Sequence, residues 1–306
     1  SQKPVPWQPV DSLLVGLIMF ERLQDSSGYE DRRREVLSQI LSPEALAFFD
    51  PDGTDWEAPL DGSDIPGVPL PAQAPAFWRR ALADAASGPT GGWETPLIPG
   101  SNSWGVGGEL TRSGAIVAND MHLDLGLPNI WYRMSARWTG PAGESRQFDG
   151  VMLPGTPLFV VGSNGHIAWA FTNGTLDTTD LVNLELDPDQ PGRYRTPEGW
   201  KEIEREAVRI EVAGEDAQTR AIDRTIWGPI VGTNAVGRLQ AVSWVAHHRD
   251  AVNLHLMDLE SVTTTAAALA LAPRCGLPGQ NFLVGDRSGD LAWTLIGRLP
   301  RRVGFD

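Results

Sequence analysis

The sequence predicts an α+β protein built around a large antiparallel sheet, because its pattern changes twice along the chain. Residues 1–49 carry apolar side chains at helical spacing, and residues 51–99 are rich in Pro, Gly and Asp. After Ser101 the chain consists of short runs rich in β-branched and aromatic residues, separated by turn dipeptides. Hairpins joined into one antiparallel sheet are the most economical interpretation of this third region.

The first region predicts two helices. Asp11 or Ser12 is the expected N-cap of a helix through LLVGLIMFERL, and EDRRREVLSQIL is amphipathic, with Val36, Leu37 and Ile40 on one side. In the second region only AFWRRALADAA, residues 76–86, has a helical pattern. The remainder of that region is expected to be a linker or to wrap irregularly over a surface.

The third region predicts strands through six segments, and two of them contain turn dipeptides, Asn164-Gly165 and Ser288-Gly289. A helix is expected in VTTTAAALALA, where it would pack on the sheet. The strand segments are GAIVAND, IWYRMSARW, PLFVVGSNGHIAWAFT, AVRIEVA, RLQAVSWVAHH and NFLVGDRSGDLAWTLIG.

Composition excludes several classes of function. The 306 residues carry a net charge of −14, which argues against a nucleic-acid partner bound through phosphate contacts. The single cysteine, Cys275, cannot form an intrachain disulfide. The longest apolar run, SLLVGLIMF, is too short to span a membrane. The chain starts without Met and ends directly after a strand-like segment, so we expect it to be a piece of a longer protein.

Common catalytic motifs are absent from the sequence. The five histidines include no HExxH spacing, and we find no GxSxG elbow, no P-loop and no GxGxxG in a dinucleotide-binding context. A Ser-His-Asp triad using His122, His247 or His248 stays open, because triad members meet in space rather than in sequence.

The segment GSNSW, residues 100–104, is a polar turn-like stretch in mid-chain. It is typical of a loop before a strand. Alternatively, Ser101 is an N-terminal nucleophile released when the Gly100–Ser101 bond breaks. A serine at a chain terminus carries its own base, because an α-amino group with a pKa of about 7.7 to 8 can accept the hydroxyl proton. Glycine at position 100 would allow backbone strain at the bond to be cut.

Several segments together resemble the penicillin acylase (penicillin amidase) family of N-terminal-nucleophile hydrolases. They occur in the expected order over most of the chain: PVPWQPVDSLLVGLIMFERL, PGSNSWGVGGELTRSGAIVANDMHLDLGLPNIWY, GVMLPGTPLFVVGSNGHIAWAFTNGTLDTTDL, TIWGPIV and GQNFLVGDRSGDLAWTLIGRLPRR.

The resemblance implies a four-layer αββα sandwich, present here as a fragment, and a precursor that cuts itself before Ser101. Residues 1–85 would be the C-terminal part of the small chain and residues 86–100 a spacer. Residues 101–306 would be the N-terminal part of the large chain. The expected partners are the remaining segments of its own small and large chains.

The resemblance also implies roles for individual residues. Ser101 matches the nucleophile and Gly100 the residue before the cut. His122 matches a position that orients the nucleophile and assists processing, although a strand-end histidine bonded to backbone is the alternative. Asn173 falls where a backbone N–H enters the oxyanion hole, and Asn281 matches the second donor or, alternatively, starts a hairpin turn.

Arg302 resembles an arginine near the nucleophile that is linked to the role of Asn281, or else it belongs to a solvated basic end with Arg301. Asp177 and Asp180 match calcium ligands, with a backbone carbonyl near Thr179, and a small-chain acid, Glu30, would complete part of the shell. Such oxygens suit Ca²⁺, while the alternative is a capped acidic turn. Calcium would be structural, and no organic cofactor is expected.

The expected function is hydrolysis of the linear amide of an N-acylated small molecule through an acyl-enzyme on Ser101. β-Lactam antibiotics, N-acyl homoserine lactones and related acyl amides are the candidate substrates. Histidine at position 122 is more like the cephalosporin and aliphatic-acyl members of the family than the phenylacetyl-specific ones. The alternative is an unprocessed or inactive fragment with a structural or binding role. The family implies a periplasmic or extracellular location.

Overall fold

The structure is a computed structural model that describes residues 5–51, 53–54, 56–70, 72, 100–123 and 126–303. The helix predicted at residues 76–86 and the predicted spacer up to residue 99 lie outside the described residues. Five α-helices are described: α1 (Pro9–Leu23), α2 (Tyr29–Ile40), α3 (Pro43–Phe49), α4 (Gly108–Thr111) and α5 (Thr265–Leu271). No helix in this described part of the chain is long and apolar enough to cross a membrane.

Fifteen strands follow the first three helices in the described residues. In chain order they are β1 (Ser101–Val106), β2 (Ile116–Met121), β3 (Tyr132–Thr139), β4 (Ser145–Met152), β5 (Val161–Ser163), β6 (Ile167–Asn173), β7 (Thr179–Asn183), β8 (Arg193–Thr196), β9 (Gly199–Glu202), β10 (Glu204–Ile210), β11 (Gln218–Arg224), β12 (Ile230–Thr233), β13 (Leu239–Trp244), β14 (Gln280–Asp286) and β15 (Leu291–Ile296).

Helix α1 begins three or four residues before the position predicted from the sequence. The predicted N-cap at Asp11 or Ser12 is wrong: Gln8 is the N-cap, Pro9 is the first helical residue, and the Asp11 carboxylate accepts the backbone N–H of Gln8 at 2.7 Å. Proline suits the first helical position because its missing N–H would have had no partner there. Asp11 therefore closes the first turn from inside the helix.

The central sheet has six antiparallel strands in the order β15-β14-β6-β5-β4-β3. The two predicted hairpin turns are confirmed, because Asn164-Gly165 joins β5 to β6 and Ser288-Gly289 joins β14 to β15. Both glycines have a positive φ, 84° at Gly165 and 97° at Gly289, which explains the residue type at these turns. The predicted antiparallel sheet is therefore present, but the prediction that it holds all six segments is wrong. The described residues of GAIVAND, AVRIEVA and RLQAVSWVAHH form strands of separate two- and three-stranded sheets instead.

The main core lies between this sheet and α5. Trp169 and Phe171 of β6 and Phe282 of β14 are almost fully buried, and they pack with Ala268 and Leu271 of α5. These side chains alternate along their strands, so one face of the sheet supplies the core. The predicted helix in VTTTAAALALA is thus confirmed, together with its packing on the sheet.

A ribbon formed by β1 and β2 lies against β6 and β14. A Cβ added at Gly285 of β14 would be 2.7 Å from the Cβ of Ala115 and 3.0 Å from Val117, so the ribbon approaches the sheet closely. The described residues therefore form a mixed helix and sheet structure with α5, the six-stranded sheet and the β1–β2 ribbon packed together. The complete four-layer αββα sandwich stays a prediction.

The N-terminal helices are held to the strands by polar contacts as well as by apolar packing. Phe20 of α1 is fully buried against Val245 and Ala251. Asp31 of α2 accepts the backbone N–H of Leu181 in β7 at 2.8 Å. These contacts join residues that are 150 or more positions apart in sequence. The carbonyl oxygen of Leu23 in α1 accepts a hydrogen bond from Asn173, which places α1 beside the end of β6.

Candidate active site

Ser101 is the first residue of β1 and pairs with Met121 of β2. Its neighbour Gly100 accepts a 2.8 Å hydrogen bond from the backbone N–H of His122 through its carbonyl oxygen. A Cβ added at Gly100 would contact only His122 Nδ1, at 3.8 Å. The strain expected at the Gly100–Ser101 bond stays a prediction.

The imidazole of His122 lies beside the carboxylate of Asp120. His122 Nε2 is 2.9 Å from Asp120 Oδ2, with both side chains partly exposed to solvent. The two residues are separated by one position at the end of β2, so their side chains lie on the same face of the strand. Asp120 was not among the sequence candidates, although the i, i+2 spacing in NDMH could have indicated it.

An apolar cavity of about 110 Å³ opens beside Ser101. Three of its walls come from α1, from the loop between β4 and β5, and from residues 252–256. The side chains that form it are mostly aliphatic: Met19, Leu23, Met121, Leu123, Leu153, Leu158, Val160, Val252, Leu254, Leu256 and Leu277. Such a cavity favours an apolar group next to the Ser101 hydroxyl.

Asn173 and Asn281 lie side by side where β6 ends and β14 begins. Asn281 Nδ2 makes a long contact of 3.5 Å with the carbonyl oxygen of Asn173, and Asn281 Oδ1 accepts the indole N–H of Trp293 at 3.2 Å. Asn173 Nδ2 donates to the carbonyl oxygen of Leu23 at 3.0 Å, and Asn173 also lines the cavity beside Ser101. The structure thus brings the two asparagines together and places Asn173 at the same cavity as Ser101.

Asn119 of β2 is a further residue that sequence reasoning missed. Its Nδ2 donates to the carbonyl oxygens of Asn102 at 2.7 Å and Phe171 at 3.0 Å, and its Oδ1 accepts the backbone N–H of Phe171 at 3.2 Å. Asparagine is uncommon inside strands, so its place in IVANDM was the available signal. Asn119 connects the strand that begins at Ser101 with the strand that ends at Asn173.

Arg302 lies away from this group of residues. Its Nε contacts Asp180 Oδ1 at 2.8 Å and its Nη2 contacts Asp177 Oδ1 at 2.9 Å, so one guanidinium bridges both carboxylates. The hydrogen bond with Asp180, with Asp177 adding its charge, raises the pKa of Arg302. The Asn281 side chain bonds to Trp293 and Asn173 instead, so the structure does not bring Arg302 together with Asn281.

The side chains of the predicted calcium ligands are engaged in other contacts. Asp177 and Asp180 are both paired with Arg302, and the Glu30 carboxylate is paired with Arg33 at 2.8 Å. The Thr179 hydroxyl donates to the carbonyl oxygen of Asp25 at 2.5 Å. Among the described residues, no group of three His, Cys, Asp or Glu side chains is arranged to hold a metal ion.

A third carboxylate, Asp31, lies in the same acidic region. Burial raises the pKa of Asp31, and the negative charges of Asp180 and Asp177 raise it further, while the N–H of Leu181 acts in the opposite direction. The positive charge of Arg302 thus acts on Asp31 as well as on Asp177 and Asp180, and one backbone N–H, that of Leu181, bonds to the Asp31 carboxylate.

His247 and His248 are placed far from the Ser101 cavity by their contacts. The His247 ring packs edge-on against Trp244, with ring centroids 5.5 Å apart, and burial lowers the pKa of His247. His248 lines a separate depression with Arg298 and Arg302. Neither histidine contributes to the cavity at Ser101 as the described residues form it.

Comparisons with known proteins identify the family of the chain. The family model described as penicillin amidase matches residues 1–306, the whole chain. The chain belongs to the penicillin amidase family. Its site residues can therefore be compared with a family whose named members are acylases.

Two curated relatives carry the name acyl-homoserine lactone acylase QuiP. The protein from Pseudomonas aeruginosa is 24% identical over 98% of this chain, and the one from Pseudomonas fluorescens is 29% identical over 98% of it. This chain covers 36% of the length of each of these relatives, so it spans about a third of the proteins that it matches.

A solved structure shows the same fold. The thermostable penicillin G acylase from Alcaligenes faecalis matches with a TM-score of 0.50 and 21% identity, over 58% of this chain and 32% of that one. The mixed helix and sheet structure described above is therefore similar to the penicillin acylase fold.

Proposed function

We propose that the chain is part of a self-processing amidohydrolase that cleaves the linear amide bond of N-acylated small molecules through an acyl-enzyme on Ser101. The observation that carries the proposal is the position of Ser101, which begins β1 at an apolar cavity that Asn173 also lines. Membership of a family with named acylases supports the same conclusion.

Cleavage of the Gly100–Ser101 bond would come first. Attack of Ser101 Oγ on the Gly100 carbonyl carbon, followed by loss of the amide nitrogen and hydrolysis of the resulting ester, leaves Ser101 at a new N-terminus. Its α-amino group, with a pKa of about 7.7 to 8, then serves as the general base for the Ser101 hydroxyl. Residues from 101 onward would begin the large chain, and residues before the spacer would end the small chain.

Substrate turnover would then take two steps. Ser101 Oγ bonds to the acyl carbon while its proton passes to the α-amino group, and the C–N bond breaks as the amine leaves with that proton. Water attacks the ester in the second step and releases the carboxylic acid. Donors at Asn173 and Asn281 would stabilise the oxyanion, and the loss of one such donor costs roughly 3 to 4 kcal/mol in comparable sites.

The substrates we propose are N-acyl homoserine lactones or related acyl amides with an aliphatic chain. The aliphatic lining of the cavity at Ser101 supports this choice, and two relatives are named acyl-homoserine lactone acylases. N-acylated β-lactams are the second substrate class, since a relative of known structure is a penicillin G acylase. A periplasmic or extracellular location is part of the same proposal.

The test uses the full-length protein with and without Ser101→Ala. Intact mass and N-terminal sequencing are expected to find a new N-terminus at Ser101 in the wild type and an uncut chain in the variant, which should also lose amide hydrolysis. Ser113→Ala, which changes an exposed serine after α4, is the control. A wild-type chain that stays uncut and still hydrolyses acyl amides would refute the N-terminal-nucleophile mechanism.

A further inference from the structure

One side-chain amide joins the two strands that carry the proposed nucleophile and the proposed oxyanion donor. Asn119 Nδ2 bonds to the carbonyl oxygen of Asn102, the residue directly after Ser101, at 2.7 Å. The same nitrogen bonds to the carbonyl oxygen of Phe171, two residues before Asn173, at 3.0 Å. Asn119 therefore contacts both strands within two residues of the proposed reacting groups.

At Phe171, the side chain of Asn119 makes the backbone hydrogen bonds that a neighbouring strand would otherwise make. Pairing between β5 and β6 ends at Gly162 and Trp169. Beyond Trp169, the edge of β6 on the β5 side therefore has no partner strand among the described residues. Asn119 accepts the backbone N–H of Phe171 through Oδ1 and donates to its carbonyl oxygen through Nδ2. A primary amide can make both bonds at once, since it has a donor and an acceptor in one plane.

The hydrogen bonds of Asn119 restrict the position of the β1–β2 ribbon in a way that apolar packing does not. The β1–β2 ribbon approaches the sheet closely at small residues such as Gly105 and Ala115. Hydrogen bonds have defined lengths and directions, so the three bonds of Asn119 fix the position of β1 relative to β6. A nucleophile displaced by about 1 Å can lose about 100-fold in rate.

We infer that Asn119 is a positioning residue that sets the distance between Ser101 and the donor at Asn173. The inference rests on the proposed function, since it concerns the same site. Asn119 acts through Asn102 and Phe171, so its effect should appear in the chemical steps, both self-cleavage and turnover, rather than in substrate binding.

The experiment compares Asn119→Asp, Asn119→Ala and Ser101→Ala in the full-length protein. Asn119→Asp keeps the shape of the side chain and the acceptor for the Phe171 N–H but loses both donated bonds. Asn183→Ala is the matched control, because Asn183 also uses its side-chain amide, in contacts with Asn234 and Gln240 far from Ser101. The readouts are the thermal unfolding temperature, the half-time of self-cleavage by intact mass, and kcat and KM with an N-acyl amide.

We expect Asn119→Asp to fold, to cleave itself more slowly, and to show kcat lowered by about 10- to 100-fold with KM within about threefold of the wild type. A wild-type kcat in Asn119→Asp would overturn the inference, even if its unfolding temperature falls. A higher KM with unchanged kcat would overturn it too, as would an Asn119→Asp protein that does not fold. If Asn119→Ala does not fold, Asn119→Asp decides the result.

Failure of the proposed function gives a different result. In that case Ser101→Ala retains hydrolysis, whatever the Asn119 variants do. Loss of hydrolysis in Ser101→Ala together with wild-type kinetics in Asn119→Asp rejects only the positioning role.

Discussion

The backbone N–H of His122 donates a 2.8 Å hydrogen bond to the carbonyl oxygen of Gly100. This carbonyl belongs to the bond whose cleavage would free Ser101. A donor at that oxygen polarises the carbonyl and would stabilise the negative charge that develops when the Ser101 hydroxyl attacks. The His122 ring is held near the same bond by Asp120, so one residue supplies both a backbone donor and a candidate proton acceptor.

The pairing of His122 with Asp120 predicts that Asp120→Asn slows self-cleavage. A carboxylate at 2.9 Å from Nε2 orients the ring through a charged acceptor, and an amide does this less well. We expect the half-time of cleavage to rise about 10-fold or more, since a positioned acid or base contributes about 100-fold or more. The measurement is a time course of intact mass after refolding or expression at low temperature.

The control for this experiment is Asp223→Asn. Asp223 lies on β11, where it pairs with Arg205 of β10, and it has no contact with β2. An unchanged cleavage half-time in Asp120→Asn would show that Asp120 does not assist His122.

The apolar cavity predicts a dependence of activity on acyl-chain length. Each buried methylene contributes about 0.8 kcal/mol, so kcat/KM should rise about fourfold per added CH₂ until the cavity of about 110 Å³ is filled. Leu254 lines this cavity and is 40% exposed, so Leu254→Trp should narrow it without overpacking the core. We expect the optimum of a series of straight-chain N-acyl amides to shift to shorter chains.

Leu110→Trp is the control, because Leu110 is 75% exposed on α4 and does not line the cavity. A chain-length profile that is the same in Leu254→Trp and the wild type would place the acyl group elsewhere.

Local features of the fold could be predicted from the sequence, because they depend on neighbouring residues. The hairpin turns at Gly165 and Gly289 follow from dipeptides that favour positive φ, and α5 follows from a run of strong helix formers. The start of α1 was predicted wrongly, because Asp11 fits two capping patterns: the N-cap itself and the third position of a capping box that begins at Gln8. Pro9, which suits the first helical position, decides for the second pattern.

Contacts between distant segments could not be predicted in the same way. The position of Arg302 depends on Asp177 and Asp180, which are more than 120 residues away in sequence. Asn119 bonds to Phe171 across a gap of 52 residues. No local pattern specifies which of many polar residues will meet after folding, so resemblance to a family was needed to nominate Ser101, and the structure was needed to find Asn119.

The raised pKa of Asp31 predicts that the stability of the protein depends on pH, and that the substitution Asp31→Asn removes this dependence. Burial raises the pKa of Asp31 above its ordinary value of 3.8, with Asp180 and Asp177 adding to the shift. Between 3.8 and the raised pKa the folded protein holds a proton that the unfolded chain has lost, so the free energy of unfolding falls as the pH rises through this window. At pH values above the raised pKa, Asp31 lowers the free energy of unfolding by a constant amount.

Asp31→Asn should therefore unfold at a higher temperature than the wild type at pH 7 and at nearly the same temperature below pH 3.8. The amide oxygen of asparagine can still accept the N–H of Leu181, so the bond between α2 and β7 is retained. The measurement is thermal unfolding at a series of pH values, with the exposed Asp216→Asn as the control. A lower unfolding temperature of Asp31→Asn at pH 7 would contradict this prediction.

Arg302 predicts how the protein responds to calcium. Its guanidinium bridges Asp177 and Asp180, so a calcium ion can use these carboxylates only if Arg302 moves away. In the wild type we expect neither millimolar CaCl₂ nor EGTA to change the unfolding temperature by more than about 1 °C, because ligand stabilisation requires affinity for the folded state. Arg302→Ala leaves the two carboxylates and Asp31 without their counter-charge.

The loss of this partly buried ion-pair network should cost Arg302→Ala roughly 1 to 2 kcal/mol, or about 3 to 6 °C in unfolding temperature. Calcium should then restore part of that stability in Arg302→Ala, since carboxylate and carbonyl oxygens are its preferred ligands, whereas magnesium should restore less. Arg301→Ala, which removes the exposed neighbouring charge, should behave as the wild type. If calcium stabilised the wild type and Arg302→Ala equally, the ion would bind without competing with Arg302. The guanidinium of Arg302 would then not be the cation that neutralises Asp177 and Asp180.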